Sequence, residues 1–312
     1  MHVLDRSRSP RGPAATARRA VAPWAAALPL AAFLAGCCGL PNTRYPEATR
    51  PDPNTTVILY GDSNVDRLDE LEGYGTELSA RLTARGEVVV NSGNAGREAG
   101  IAAITDPVRD RCPALVCHLF YDCLAKGNTP LVTVLKAHPN ARTLVMTLGG
   151  VEAGEALSLG SITNDLLDPT QPTPKVVVDV AQRLLRNLSR ALEIARADRE
   201  WKWIGITSYP YMPTDSRDPV VPCSLATPVD AAAQKHVNDV LRTLDAMLAA
   251  VAEREGVHFV SLLDVHGGGE AVPGGENGPP GRWFDNCAHL TPEGYSAVVG
   301  RILAAMDAPS AG

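Results

Sequence analysis

Short apolar blocks punctuate the chain: Val57 to Tyr60, Val88 to Asn91, Leu115 to Phe120, Thr143 to Thr147, Trp203 to Ser208, and Val257 to Leu262. Each is rich in β-branched or large apolar residues and gives way to loop chemistry, a pattern that predicts buried strands. Between them the period changes to that of a helix. Val177, Val180, Ala181, Leu184, Leu188 and Leu192 form one stripe, and Val237, Val240, Leu241, Leu244, Met247, Leu248 and Val251 form another. A last helix is announced by Thr291 as its N-cap and Pro292 at its first position, with Tyr295, Val298, Val299, Ile302 and Met306 on its buried face. Strands alternating with helices predict an α/β fold with a parallel sheet covered on both faces. Functional groups are then expected just beyond the carboxyl ends of the strands. No internal repeat is evident. The Gly- and Pro-rich stretch His266 to Gly281 reads as a loop between the final strand and the segment before the last helix.

Composition adds scale. The chain has 312 residues, 45% hydrophobic and 21% charged, which is enough apolar side chain for one sizeable core. Its formal net charge is −6, but Arg6, Arg8, Arg11, Arg18 and Arg19 all precede Val21, while Asp5 is the one acid before Cys37. Loss of residues 1–36 would therefore take the charge from −6 to −10. So acidic a domain is a poor partner for nucleic acid or anionic headgroups.

The N-terminus has the layout of a targeting segment: an arginine-rich stretch, a weakly apolar run from Ala20 to Phe33, then Leu34-Ala35-Gly36-Cys37. The run is short and contains Pro23 and Pro29, so it does not suit a bilayer span. Its ending resembles the lipobox of bacterial lipoproteins, which implies acylation of Cys37, cleavage before it, and export to the cell envelope on a lipid anchor. An ordinary secretory signal is the alternative. The expected organisation is a signal peptide over 1–36, a Pro-, Asn- and Thr-rich tether over 37–55, and a folded domain over 56–308. With Cys37 assigned to lipid, Cys38, Cys112, Cys117, Cys123, Cys223 and Cys287 remain, and outside the cytoplasm they can pair. Cys112, Cys117, His118 and Cys123 lack the close CxxC spacing of common zinc sites, so no metal is expected.

Two segments carry the candidate chemistry. The first strand opens directly into Gly61-Asp62-Ser63-Asn64, which sets a serine hydroxyl at the functional edge of the sheet; a helix-capping turn is the plainer reading of the same residues. The second is Phe284-Asp285-Asn286-Cys287-Ala288-His289-Leu290-Thr291-Pro292-Glu293-Gly294-Tyr295, which places His289 just before the last helix, where it can serve as base to a serine nucleophile.

Together these blocks resemble the GDSL/SGNH hydrolases, a family of esterases, lipases and deacetylases, and the resemblance runs from about Thr56 to Met306. It implies a flavodoxin-like, three-layer α/β/α sandwich, with Ser63 as nucleophile and His289 as general base. Val90-Asn91-Ser92-Gly93-Asn94-Ala95-Gly96 is similar to the family's second block, which implies oxyanion binding by the amides of Ser63 and Gly96. The third block, G-x-N-D, is absent. Two segments compete for its place: Leu148-Gly149-Gly150-Val151-Glu152, with Val for Asn and Glu for Asp, and Phe120-Tyr121-Asp122-Cys123. The first is favoured because a long helix and then Ser208-Tyr209-Pro210 follow it. The acid expected three residues before His289 is replaced by Asn286; either Asp285, one residue further back, or a backbone carbonyl orients the imidazole.

The resemblance therefore implies a cofactor-independent serine esterase, lipase or O-acetylesterase acting on an ester or O-acylated substrate. The rival expectation is a lipoprotein that keeps the fold as a cell-envelope binding module and has lost the chemistry.

Overall fold

In the computed structural model of the chain, the residues described are 49–66, 73–93, 99–103, 130–150, 152, 175–209, 231–265 and 289–308. Their centre is a parallel sheet of five strands: β1 (Val57–Gly61), β2 (Val89–Gly93), β3 (Thr143–Thr147), β4 (Trp203–Thr207) and β5 (His258–Val260). The strand order is β2-β1-β3-β4-β5, a doubly wound arrangement in which the chain reverses direction across the sheet between β1 and β3. Five of the six expected strands are present; the expected strand Leu115 to Phe120 lies outside the described residues.

Alternation along each strand divides the core into two layers. On one face, Ile58, Tyr60, Leu144, Met146, Ile204 and Ile206 pack under α2 (Ala99–Ala102), α3 (Leu131–Ala137), α4 (Lys175–Asp198) and α5 (Ala231–Glu255). On the other, Val57, Leu59, Val145 and Val260 pack under α1 (Tyr74–Ala84) and α6 (Pro292–Asp307). The result is a three-layer α/β/α sandwich, the architecture expected from the sequence. Residues 52–55, at the end of the expected tether, are bonded to the first of these layers: the Asp52 amide donates to the Ala137 carbonyl at 2.9 Å, and the Thr55 hydroxyl lies 3.0 Å from His138 Nδ1.

The α4 stripe is buried as expected at Val177, Val180, Leu184, Leu188 and Leu192, and Ala191 and Ala195 widen it. On α5 the stripe is buried in part only. The Met247 side chain is 39% exposed, whereas Leu241, Leu248, Val251 and Ala252 are buried. Successive helical residues are rotated by about 100°, so Met247 falls on the flank of a stripe centred near Leu248.

Candidate active site

Parallel pairing places Gly61 of β1 level with Gly93 of β2 and Thr147 of β3. The loops leaving these three strands therefore start side by side at one edge of the sheet. The ladder extends one step further, since the Asp62 amide donates to the Thr147 carbonyl at 3.1 Å. The chain then folds into a tight turn, with the Val65 and Asp66 amides both bonded to the Asp62 carbonyl, and Ser63 sits on this turn, partly exposed. The Asn64 carbonyl accepts from the Tyr74 amide at 2.9 Å, which ties the turn to the start of α1.

His289 arrives from the far end of the sequence. Leu290 and Thr291 behind it are buried, and the Thr291 hydroxyl accepts from the Gly294 amide at 3.1 Å while Pro292 opens α6. This capping fixes the entry of the chain into the helix. It leaves the imidazole at the same edge as Ser63, with His289 Nε2 3.0 Å from Ser63 Oγ. That is hydrogen-bond reach for a nucleophile and its base.

Around the turn lies a polar lining. The Asp62 carboxylate is fully buried; Oδ1 accepts from the Asn64 amide at 3.0 Å, and Oδ2 accepts from the Gly150 amide at 3.0 Å and from the Tyr209 hydroxyl. Burial pushes this carboxyl above its ordinary 3.8, against the pull of its bonds from Tyr209, Asn64 and Gly150. Burial, and then the charge of Asp62, hold the Tyr209 hydroxyl well above 10.0, so it stays a donor. Beneath the turn the hydroxyls of Tyr74 and Thr147 are bonded, and Thr147 Oγ1 is 2.7 Å from Thr207 Oγ1.

The loop after β3 is the segment Leu148-Gly149-Gly150-Val151-Glu152, one of the two competitors for the third block. Its strand neighbours β1, and its Gly150 amide reaches Asp62 beside Ser63. Gly149 has φ +117, a conformation that favours glycine. The Glu152 carboxylate, 1% exposed, accepts from the Ala99 amide at 2.7 Å and so ties this loop to the segment that follows the second block. In the second block itself, Asn91 Oδ1 accepts from the Gly93 amide at 2.8 Å. Gly96, Asp285, Asn286, Val151, Cys37 and the competing segment Phe120 to Cys123 lie outside the described residues. Among the described residues no group of three or more His, Cys, Asp or Glu is placed to hold a metal ion, and no helix is long and apolar enough to cross a membrane.

Ser63 and His289, both marked by the sequence, meet. The parts played by the Asp62 side chain and by Tyr209 emerge only from the structure. The signal for the first was its place in Gly61-Asp62-Ser63; Tyr209 had only its position just past a strand end.

The model of the GDSL-like Lipase/Acylhydrolase family matches residues 59–297, a span that includes both the Ser63 turn and His289. The chain belongs to this family. The fold has counterparts among solved structures of low sequence identity. The lipase Lip_vut3 from a goat rumen metagenome is 14% identical, with a TM-score of 0.50, over 80% of this chain and 97% of its own. A protein from Streptococcus pneumonia named for platelet activating factor is also 14% identical, with a TM-score of 0.52, over 90% of this chain and 98% of its own. An extracellular lipase from Streptomyces rimosus is 15% identical, with a TM-score of 0.49, over 80% of this chain and 99% of its own. No curated protein matches the sequence.

Proposed function

We propose that the protein hydrolyses carboxylic esters by acyl transfer to Ser63. The observation that supports this most is the 3.0 Å separation of His289 Nε2 and Ser63 Oγ at the carboxyl edge of the sheet. In the proposed reaction, Ser63 Oγ attacks the ester carbonyl carbon as its proton passes to His289 Nε2. The tetrahedral intermediate carries its negative charge on the former carbonyl oxygen, which the amides of Ser63 and Gly96 stabilise. Collapse expels the alcohol, protonated by His289, and leaves an acyl-enzyme. A water then attacks this ester and gives a proton to His289, which passes it to Ser63 Oγ as the acid is released, so that both residues return to their starting state. Asp285 is the proposed partner that orients the imidazole. No cofactor enters any of these steps. Lipid esters, small acyl esters and O-acetyl groups on envelope polysaccharide all present the required carbonyl.

We further propose that the protein is exported and held to the cell envelope by lipid. Residues 1–36 serve as a lipoprotein signal peptide, residues 37–55 lead from a lipid-modified Cys37, and residues 56–308 form the hydrolase domain in the cell envelope. Cys37→Ala should release the protein from membranes or leave the signal uncleaved; unchanged fractionation would rule the anchor out.

A fluorophosphonate probe tests the chemistry, because it reacts quickly only with an activated serine. The wild type should be labelled and Ser63→Ala should not. An unlabelled, folded wild type would favour a binding module that keeps the fold alone.

A further inference from the structure

Asp62 joins three loops. Its carboxylate takes the Asn64 amide from the Ser63 turn, the Gly150 amide from the loop after β3, and the hydroxyl of Tyr209 from the segment after β4. The approach is close: a Cβ on Gly150 would lie 2.7 Å from Asp62 Oδ2 and 3.0 Å from Tyr209 Cε1, so the Gly150 backbone fits there because it has none.

These three bonds are unequal in what they can tolerate. The Asn64 amide is two residues from Asp62 and keeps its place by chain connectivity. Gly150 is 88 residues away and Tyr209 is 147 residues away, so their positions relative to Ser63 depend on the carboxylate itself. Gly150 and Tyr209 share one oxygen, Oδ2. A buried carboxylate needs such donors to remain charged. With one removed, it gains by taking a proton or turning toward water, and either change loosens its hold on the Gly150 amide.

We propose that Tyr209 is a positioning residue for ester hydrolysis, acting through Asp62 to hold the Gly150 loop against the turn that carries Ser63. The proposal rests on Ser63 being the nucleophile. The held geometry aligns the attacking oxygen with the wall of the site, a requirement of the transition state more than of substrate binding. Tyr209 itself does not touch the reacting atoms.

The test compares wild type, Ser63→Ala, Tyr209→Phe, Asp62→Asn and the Asp62→Asn/Tyr209→Phe double variant on p-nitrophenyl acetate, with a thermal melt of each. Tyr209→Phe should lower kcat about tenfold, as expected for loss of a hydrogen bond to a charged group, while KM stays within about twofold and the melting temperature holds. The double variant should be no slower than Asp62→Asn alone, because Tyr209 works through that carboxylate. A Tyr209→Phe protein with wild-type kcat, or one that loses kcat only in step with its melting temperature, would overturn the positioning role. So would additive losses in the double variant. Activity retained in Ser63→Ala is a separate outcome, and it would overturn the reading of Ser63 on which the proposal stands.

Discussion

His289 Nε2 lies 3.0 Å from Ser63 Oγ although 226 residues of chain separate them. Neither residue is positioned by the other. Ser63 is set by the end of β1 and its turn, and His289 by the buried Leu290 and the cap of α6. If the two act as one unit, Ser63→Ala and His289→Ala should each lower kcat by roughly 10³-fold or more, and the double variant should be little worse than either. Steady-state kinetics on a p-nitrophenyl acyl ester would show this. Losses that multiply in the double variant would mean that the residues contribute separately.

That pairing was legible in the sequence because each partner carries its own local signal. Asp62-Ser63 follows a strand whose five residues, Val57–Gly61, are all buried, and Thr291-Pro292 marks a helix start that needs no tertiary information. The strands were legible for the same reason. A central parallel strand is a near-continuous apolar run, and β1, β3 and β4 are buried along their whole length. The bond from Tyr209 to Asp62 had no such signature. A carboxylate that accepts from an amide 88 residues away and a hydroxyl 147 residues away is decided by where three loops converge, and loop geometry is not periodic. Met247 shows the limit in another form: it matches helical spacing closely enough to join a stripe, yet the packing of α5 leaves it on the flank.

Away from the site, Glu255 at the end of α5 gives a pH prediction. Its carboxylate accepts from Ser189 Oγ at 2.6 Å and from Arg254 Nε at 3.1 Å, with Arg196 nearby. The Ser189 bond, and then the Arg254 bond and the two positive charges, hold its pKa below the ordinary 4.5 despite some desolvation. A carboxyl depressed in the folded state contributes stability that is present above its unfolded pKa and lost as pH falls through the folded one. Glu255→Gln should therefore lower the urea midpoint at neutral pH, and the gap from wild type should narrow below about pH 4. A gap that is constant from pH 7 to pH 3 would assign the effect to packing.

Asp285→Asn separates a triad from a dyad. If the Asp285 carboxylate holds the imidazole, the amide removes both the preferred tautomer and the stabilisation of the imidazolium, and kcat should fall by roughly 10⁴-fold with the fold intact. Turnover near that of the wild type would instead assign the orientation of His289 to a backbone carbonyl.

Valine occupies position 151, between Gly150 and Glu152. Both flanking residues have defined partners, Gly150 on Asp62 and Glu152 on the Ala99 amide, so the loop after β3 is pinned on either side of Val151. In the resembling third block that position is an Asn that donates to the oxyanion, and valine has no donor. Removing one oxyanion donor from a serine hydrolase costs roughly 10²–10³ in kcat, or about 2.7–4 kcal/mol of transition-state stabilisation. The wild type should accordingly be a slow esterase on p-nitrophenyl acyl esters, and Val151→Asn should raise kcat with little change in KM. The asymmetry follows because the new bond strengthens only as charge develops on the carbonyl oxygen. A wild type already as fast as ordinary acylhydrolases would show that another donor, such as Asn94 or Asn128, fills the hole. A folded Val151→Asn protein with unchanged kcat would show that position 151 is not aimed at the oxyanion, and the same substitution test would then move to Asp122→Asn in the competing segment Phe120 to Cys123.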